Sequence, residues 1–446
     1  MLVMKFGGTS VGDGARLIQV ANIVKAKGCP VLVVSSAMTK VTDALLLIAN
    51  TATTCNLFRC QELLTALEQR HLQAIKDANL SSDEVTDLTQ HIKDSIVELW
   101  RWTQGVSLLQ ELTPRTLDAF SAAGELLSAP IVAAALRSLG ASAIYLDPRE
   151  LMLTDDNFGA ALPDEDKIAQ AAQEKILPLL QSGTIVVTGG FVGCGESGQT
   201  TTLGRGGSDY SAALLGAAIH AEAIEIWTDV DGILTADPRI VPEAKLLPEI
   251  SYAEAAEMAF FGAKVLHPAT IRPAVQRGIP VWIKNTFRPQ VAGTVVRAEV
   301  SGSGLRALAC RRGCVAILVS NPRMLMAHGY AAKVFGVFER YKVPVDVITT
   351  SEVSIATTID ANSPISKIME ELSTFAEPQL VRNLGVLTAV GTHLRNTPGI
   401  ASTIFGALGD INVFMISQGA SDTNLTFVLE ESRLAEAMQR LHAAFF

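Results

Sequence analysis

Three glycine-bearing segments hold the residue types from which an anion site is made. Lys5-Phe6-Gly7-Gly8-Thr9-Ser10 follows an apolar strand and is expected to open onto a helix. Its glycines would let the backbone approach a phosphate, the amides of a helix start would face it, and Lys5 would add a point charge. The segment matches neither the Walker loop nor the dinucleotide fingerprint, and a tight turn with a surface lysine is the plain alternative. Gly204-Arg205-Gly206-Gly207-Ser208-Asp209 precedes a helix expected over Tyr210 to Ala221. Arg205 offers a forked donor for a carboxylate, and Asp209 an acid for an ammonium or a metal, a pairing that suits a zwitterion. Simple capping by Ser208 or Asp209, with Arg205 in solvent, is the structural alternative. Trp227-Thr228-Asp229-Val230-Asp231-Gly232 follows the strand Ala223 to Ile226, and ligands of α/β sheets collect beyond the carboxyl ends of strands. A solvated Asp-Gly turn over Trp227 would look the same.

Single residues add less. Glu125 reads as an acid at the head of a helix, where it would ordinarily complement the helix dipole. Lys264, in Phe261-Gly262-Ala263-Lys264-Val265-Leu266-His267-Pro268, would ordinarily be solvated, and His267 reads as a structural hydrogen-bonding residue.

These residues need a scaffold, and the chain supplies alternating elements. Val31-Leu32-Val33-Val34, Ala143-Ile144-Tyr145-Leu146, Thr184-Ile185-Val186-Val187, Ala223-Ile224-Glu225-Ile226 and Val281-Trp282-Ile283 are strand-like runs between helical stretches. That order predicts an α/β domain with a mostly parallel, buried sheet over residues 1–298. Residues 57–110 lack strand signals and read as a helical insertion. Ser301-Gly302-Ser303-Gly304 marks a joint, with 299–312 as linker and first strand. Beyond it, His328-Gly329 with Phe335-Gly336 recurs as Pro398-Gly399 with Phe405-Gly406, about 70 residues later. Two α+β units of βαββαβ order are therefore expected, at 313–380 and 381–446, whose helix-opening loops suit a small ligand's carboxylate or whose sheets simply pair.

A net charge of -9 argues against broad nucleic-acid binding. Six sparse cysteines, with no Cys/His quartet, predict reduced thiols and no metal site among side chains. No secretory pattern opens the chain, and the apolar stretch Leu126 to Leu139 is interrupted by Ser128, Pro130 and Arg137, short of the ~20 residues of a membrane span. A cytoplasmic protein without membrane contact is expected.

Taken together, Lys5 to Ser10, Gly204 to Tyr210, Trp227 to Arg239 and Phe261 to Pro268 resemble the aspartate kinase family of the amino-acid-kinase superfamily. The resemblance spans essentially the whole chain. It implies a three-layer αβα sandwich followed by two ferredoxin-like ACT domains, and transfer of phosphate from ATP, with Mg²⁺, to the side-chain carboxylate of L-aspartate. That reaction opens lysine, threonine and methionine biosynthesis. The implied ATP site comprises Lys5, Phe6, Gly7, Gly8, Thr228, Asp229, Leu234, Arg239, Lys264 and Val265. Leu234 stands where the family commonly has an aromatic, which predicts weaker nucleotide stacking. The implied aspartate site comprises Ser36, Thr42, Glu125, Arg205, Gly206, Gly207 and Ser208, with Glu125 on the ammonium and Arg205 on a carboxylate. Lys5, Arg205 and Asp209 would be catalytic, with Lys5 meeting transition-state charge.

Met324, Ala327, Tyr330, Ala331, Val345, Asp346, Ser351 and Glu352 resemble the effector pocket of lysine-inhibited members, although Ala327 and Ala331 stand where Ser and Leu are usual. Asp346 and Glu352 would pair the ε-ammonium of lysine. The resemblance also implies a homodimer or homotetramer through the ACT domains. Another amino-acid-kinase relative, phosphorylating glutamate, N-acetylglutamate, carbamate or a nucleoside monophosphate, or a regulator that binds amino acids without catalysis, would be the rival readings; the paired repeats disfavour the first, and retention of Lys5, Arg205 and Asp209 the second.

Overall fold

The strands that carry Lys5 and its neighbours read as unbroken apolar runs because both faces of the sheet are covered. The computed structural model describes residues 1–262, 266–321 and 328–446. Its backbone contacts define two units, Met1–Gly232 with His267–Ala298, and Ile233–Leu266 with Glu299–Phe446.

In the first unit the central strand Leu2–Phe6 pairs in parallel with Val31–Ser35 on one side and Ala223–Thr228 on the other. Val31–Ser35 continues to Ile185–Gly189 and then Ala143–Leu146, while Ala223–Thr228 continues to Val281–Asn285, all in parallel. Thr294–Arg297 runs antiparallel against Val281–Asn285. The predicted helical insertion is two helices, Leu57–Asp77 and Ser82–Leu109.

One helix departs from expectation. Pro114–Ser138 runs unbroken through Pro130 for 25 residues. It has the length and hydropathy of a membrane span, yet 83% of its apolar window is buried inside the fold, which makes it a core helix. Pro130 removes one backbone donor, and the burial of Ile131, Val132 and Leu136 holds the helix together across it.

The second unit contains an antiparallel sheet ordered Ile348–Thr350, Ser354–Asp360, Gly304–Ser320, Glu377–Thr392, Asn424–Glu430, Val413–Gln418. Its two long central strands serve both repeats. A register shift between Arg311 and Cys314, with Gly313 at φ 71°, bends Gly304–Ser320 where it passes from one repeat to the other. Val315, Val334, Phe338 and Ile355 form one core, and Leu387, Ile404, Phe427 and Met438 another.

An uninterrupted 1–298 domain is not what the contacts show, because Ile233–Leu266 packs with the C-terminal unit. Ala236 and Val241 enter the core of Leu387 and Phe427. Thr235 shares a buried hydrogen bond of 2.9 Å with His442, and its carbonyl accepts from the Leu308 N–H.

Candidate active site

Lys5 sits on the central strand, and its Nζ lies 2.6 Å from Asp209 Oδ1, with side-chain exposures of 12% and 15%. Asp209 belongs to the first turn of Gly207–Ala218, a helix that begins three residues before the expected Tyr210. Gly206, at φ 75°, takes the N-cap, a conformation that suits glycine, and no side chain caps the end. Neither Ser208 nor Asp209 is therefore a cap. Asp209 is an ion-pair partner of Lys5 rather than a receptor for an ammonium, and the Ser208 N–H has no partner among the described residues. Arg205, one residue before the cap, is exposed, and its guanidinium has no partner among the described residues.

Glu125 lies eleven residues into Pro114–Ser138, well inside the helix rather than at its head, so complementing the dipole is not its role. It is 4% exposed. Burial pushes its carboxyl up to about 8, against the Ala37 backbone N–H and the charge of Lys5, which both favour ionisation. Oε2 has no hydrogen-bond partner among the described residues. A buried carboxyl with an open oxygen can take a donor or a cation brought by a ligand. Gly124 makes this placement possible, since a Cβ there would fall 2.6 Å from Ala37 Cβ. Gly190 does the same for Ser208, whose Cβ would lie 2.7 Å away.

Lys5, Gly8, Ser36, Thr42, Glu125, Arg205, Gly206, Gly207, Ser208 and Asp209 all line one cleft of about 570 Å³ within the first unit. Met38, Thr39, Ser121, Phe191 and Asp118 line it too, and sequence reasoning missed them. Phe191, at φ 65° without being glycine, was detectable only as the residue after a Gly-Gly pair.

The glycine turn near Lys5 works differently from expectation. The next helix starts at Gly14, and Asp13 caps it by accepting from the Arg16 N–H, so no free helix start faces the turn. Gly7 spends its N–H on the Trp227 carbonyl at 3.0 Å. The amides of Gly8 and Thr9 have no partner among the described residues. Phe6 stacks on Trp227 beneath them, with centroids 5.9 Å apart.

Thr228 and the exposed Asp229 end the Ala223–Thr228 strand, with a hydrogen bond of 3.2 Å between their side chains. Leu234 and Arg239 belong to the second unit. Leu234 bridges Leu246, and Arg239, 86% exposed, is forked onto Asp237 at 2.6 Å. Lys264, Val265, Met324 and Ala327 lie outside the described residues. His267 caps Pro268–Gln276, its carbonyl accepting from Thr270, as a structural residue would.

In the second unit Tyr330 opens the helix Tyr330–Arg340 behind Gly329, and its buried hydroxyl has no partner among the described residues. Ala331 is exposed and Val345 half-buried. Asp346 departs from expectation: its carboxylate, 3% exposed, is gripped by Arg311 at 2.7 and 3.1 Å, so it is not open to an ε-ammonium. Glu352 is exposed, and Ser351 is tied to Ser354 in a turn.

A parallel sheet that gathers a lysine, an arginine and a buried acid beyond its strand ends defines an α/β enzyme of anionic amino-acid chemistry. The sequence pattern of the amino acid kinase family covers residues 1–285, and that of an ACT domain residues 387–445. Lysine-sensitive aspartokinase 3 of Escherichia coli (strain K12) is 37% identical over 455 residues, which cover 100% of this chain and 99% of that protein. Aspartokinase 1, chloroplastic, of Arabidopsis thaliana is 34% identical over 100% of this chain and 80% of its own length. The crystal structure of E. coli aspartokinase III with lysine and aspartate (T-state) superposes with a TM-score of 0.85 at 37% identity, over 100% of this chain and 99% of that one. The form with aspartate and ADP (R-state) gives 0.82 at the same identity and coverage. The chain belongs to the amino acid kinase family, and within it to the aspartokinases.

Proposed function

We propose that the cleft moves the γ-phosphoryl group of ATP onto the side-chain carboxylate of L-aspartate, giving 4-phospho-L-aspartate and ADP. The observation that carries this is the placing of Glu125, buried with an open oxygen, in one cleft with the unpaired guanidinium of Arg205 and with Lys5. Glu125 takes the ammonium, Arg205 a carboxylate, and Ser36, Thr42, Gly206, Gly207 and Ser208 complete the contacts. The attacking carboxylate is already ionised at neutral pH, so no general base is needed, and catalysis reduces to positioning and charge neutralisation. Lys5, fixed by Asp209, meets the charge that grows on the phosphoryl oxygens. The amides of Gly8 and Thr9, with Thr228 and Asp229, receive the nucleotide. Among the described residues no group of three or more His, Cys, Asp or Glu forms a metal cage. Mg²⁺, bound with the nucleotide phosphates, would neutralise phosphate charge.

The E. coli relative is lysine-sensitive and was crystallised with lysine. By that likeness the sensor is two ACT repeats, 313–380 and 381–446, with 299–312 supplying linker and first strand, and lysine is its inhibitor. Glu352 pairs the ε-ammonium, and Tyr330 offers its free hydroxyl. The enzyme is cytoplasmic and works as a homodimer or homotetramer. An ADP-release assay tests the whole reading: turnover with ATP and L-aspartate, depressed by lysine but not by threonine or methionine, is the expected result. Absence of aspartate-dependent ADP would refute the catalytic assignment, and indifference to lysine the regulatory one.

A further inference from the structure

Asp118 is a carboxylate of the cleft with no part in the proposed reaction. It is 2% exposed and lies on Pro114–Ser138, seven residues or about two turns before Glu125 and hence on the same face of the helix. Three donors converge on it. Oδ2 accepts from the backbone N–H groups of Gly159 and Thr202, both at 2.9 Å, and Oδ1 from the Thr202 hydroxyl at 2.8 Å. Burial pushes the carboxyl up, and the three donors oppose that shift by stabilising the ionised form.

What these bonds fix is the approach to Arg205. Thr202 gives both its donors to Asp118, and its carbonyl accepts from the Ala161 N–H at 2.9 Å. Leu203 donates to the Phe191 carbonyl at 2.9 Å. Gly204, at φ 74°, passes so near the Gly159 carbonyl that a Cβ would meet it at 3.1 Å. Arg205 comes next, its guanidinium without a partner among the described residues, so the pinned segment before it decides where that guanidinium can reach.

We propose that Asp118 is a positioning residue that sets the distance between the Arg205 turn and Glu125. One helix thereby holds both ends of a zwitterion site: Glu125 directly, and the carboxylate-binding turn through Asp118. That spacing is a length gauge, and it selects aspartate over its homologue with one more methylene. The proposal rests on the reading of Arg205 and Glu125 as the two poles of the aspartate site.

The test is steady-state kinetics on the full-length enzyme with Asp118→Asn, Thr202→Val and Arg205→Ala. Asn keeps the shape of Asp118 but replaces a charged acceptor of three donors by a neutral amide with one acceptor oxygen. Asp118→Asn is expected to lower kcat/KM for aspartate by about 10- to 100-fold, mainly through KM. The KM for ATP and the melting temperature should stay near those of the wild type, and the preference for aspartate over glutamate should shrink. Thr202→Val, which deletes one hydroxyl, should move the same quantities in the same direction by less, and it decides the matter if Asp118→Asn does not fold. An unchanged aspartate KM, or equal rises in both KM values, would overturn the positioning role. Arg205→Ala separates the two failures. If it leaves the aspartate KM unchanged, the site reading falls; if it raises that KM while the Asp118 and Thr202 variants do not, the positioning role alone falls.

Discussion

Glu125 changes charge within the pH range in which an amino acid is offered to it. In the folded protein its carboxyl titrates near 8, against an ordinary value of 4.5. Between those values the native state keeps a proton that the unfolded chain has lost, so this group makes stability fall as pH rises from about 4.5 and stop falling above about 8. Under the proposed reading, aspartate's ammonium would reverse the preference and expel the proton. The aspartate KM should therefore fall as pH rises toward 8, and calorimetry at pH 7 in buffers of different ionisation enthalpy should show release of about one proton per aspartate bound. Glu125→Gln should abolish the release; a wild-type enzyme that releases none would remove Glu125 from the ammonium site. Lys5 and Arg205 were legible in the sequence because glycines flank them. The depth of Glu125 was not, and Asp118, in Thr116-Leu117-Asp118-Ala119, bears no local mark at all. Burial of a carboxyl is settled by segments far along the chain, here Ala37 for one and Thr202 for the other.

At the scale of elements, two glycines inside helices make opposite demands. Gly105, in Ser82–Leu109, has nothing within 4 Å of where a Cβ would stand. Gly105→Ala should stabilise by about 0.5–1 kcal/mol, the ordinary helix gain. A Cβ at Gly124 would meet Ala37 Cβ at 2.6 Å and Val41 Cγ1 at 3.3 Å. Gly124→Ala should instead destabilise by about 1–3 kcal/mol and weaken aspartate binding, because the helix must back away from the loop that lines the cleft. Urea denaturation of the pair checks the signs, and two stabilising results would mean that Gly124 is not a packing requirement. The parallel strands were legible from their apolar runs, since burial on both faces erases alternation. Helix ends were not. Gly206 starts its helix by backbone conformation rather than by the side-chain cap a sequence displays.

For the whole molecule, the two outer strands of the sensor sheet leave Ile348, Phe414 and Ile416 exposed at 40%, 37% and 44%. Apolar residues on sheet edges invite pairing, and a second copy of this chain is the partner the proposed function calls for. Phe414→Asp with Ile416→Asp should reduce the mass seen by light scattering, and an unchanged mass would place the subunit contact elsewhere. The repeat itself was legible, because Gly329 and Gly399 recur at one spacing before similar helices. The allegiance of Ile233–Leu266 was not, since its anchors, Leu308, Phe427 and His442, lie far downstream. The backbone passes between the two units after Gly232, again after Leu266 and again after Ala298. The sensor is thus no cassette appended behind a finished enzyme. A recombination event, natural or engineered, that exchanges only the residues beyond 298 would bring together a Thr235 and a residue 442 of different ancestry, whereas a crossover that carries residues 233–266 along would inherit the fit intact.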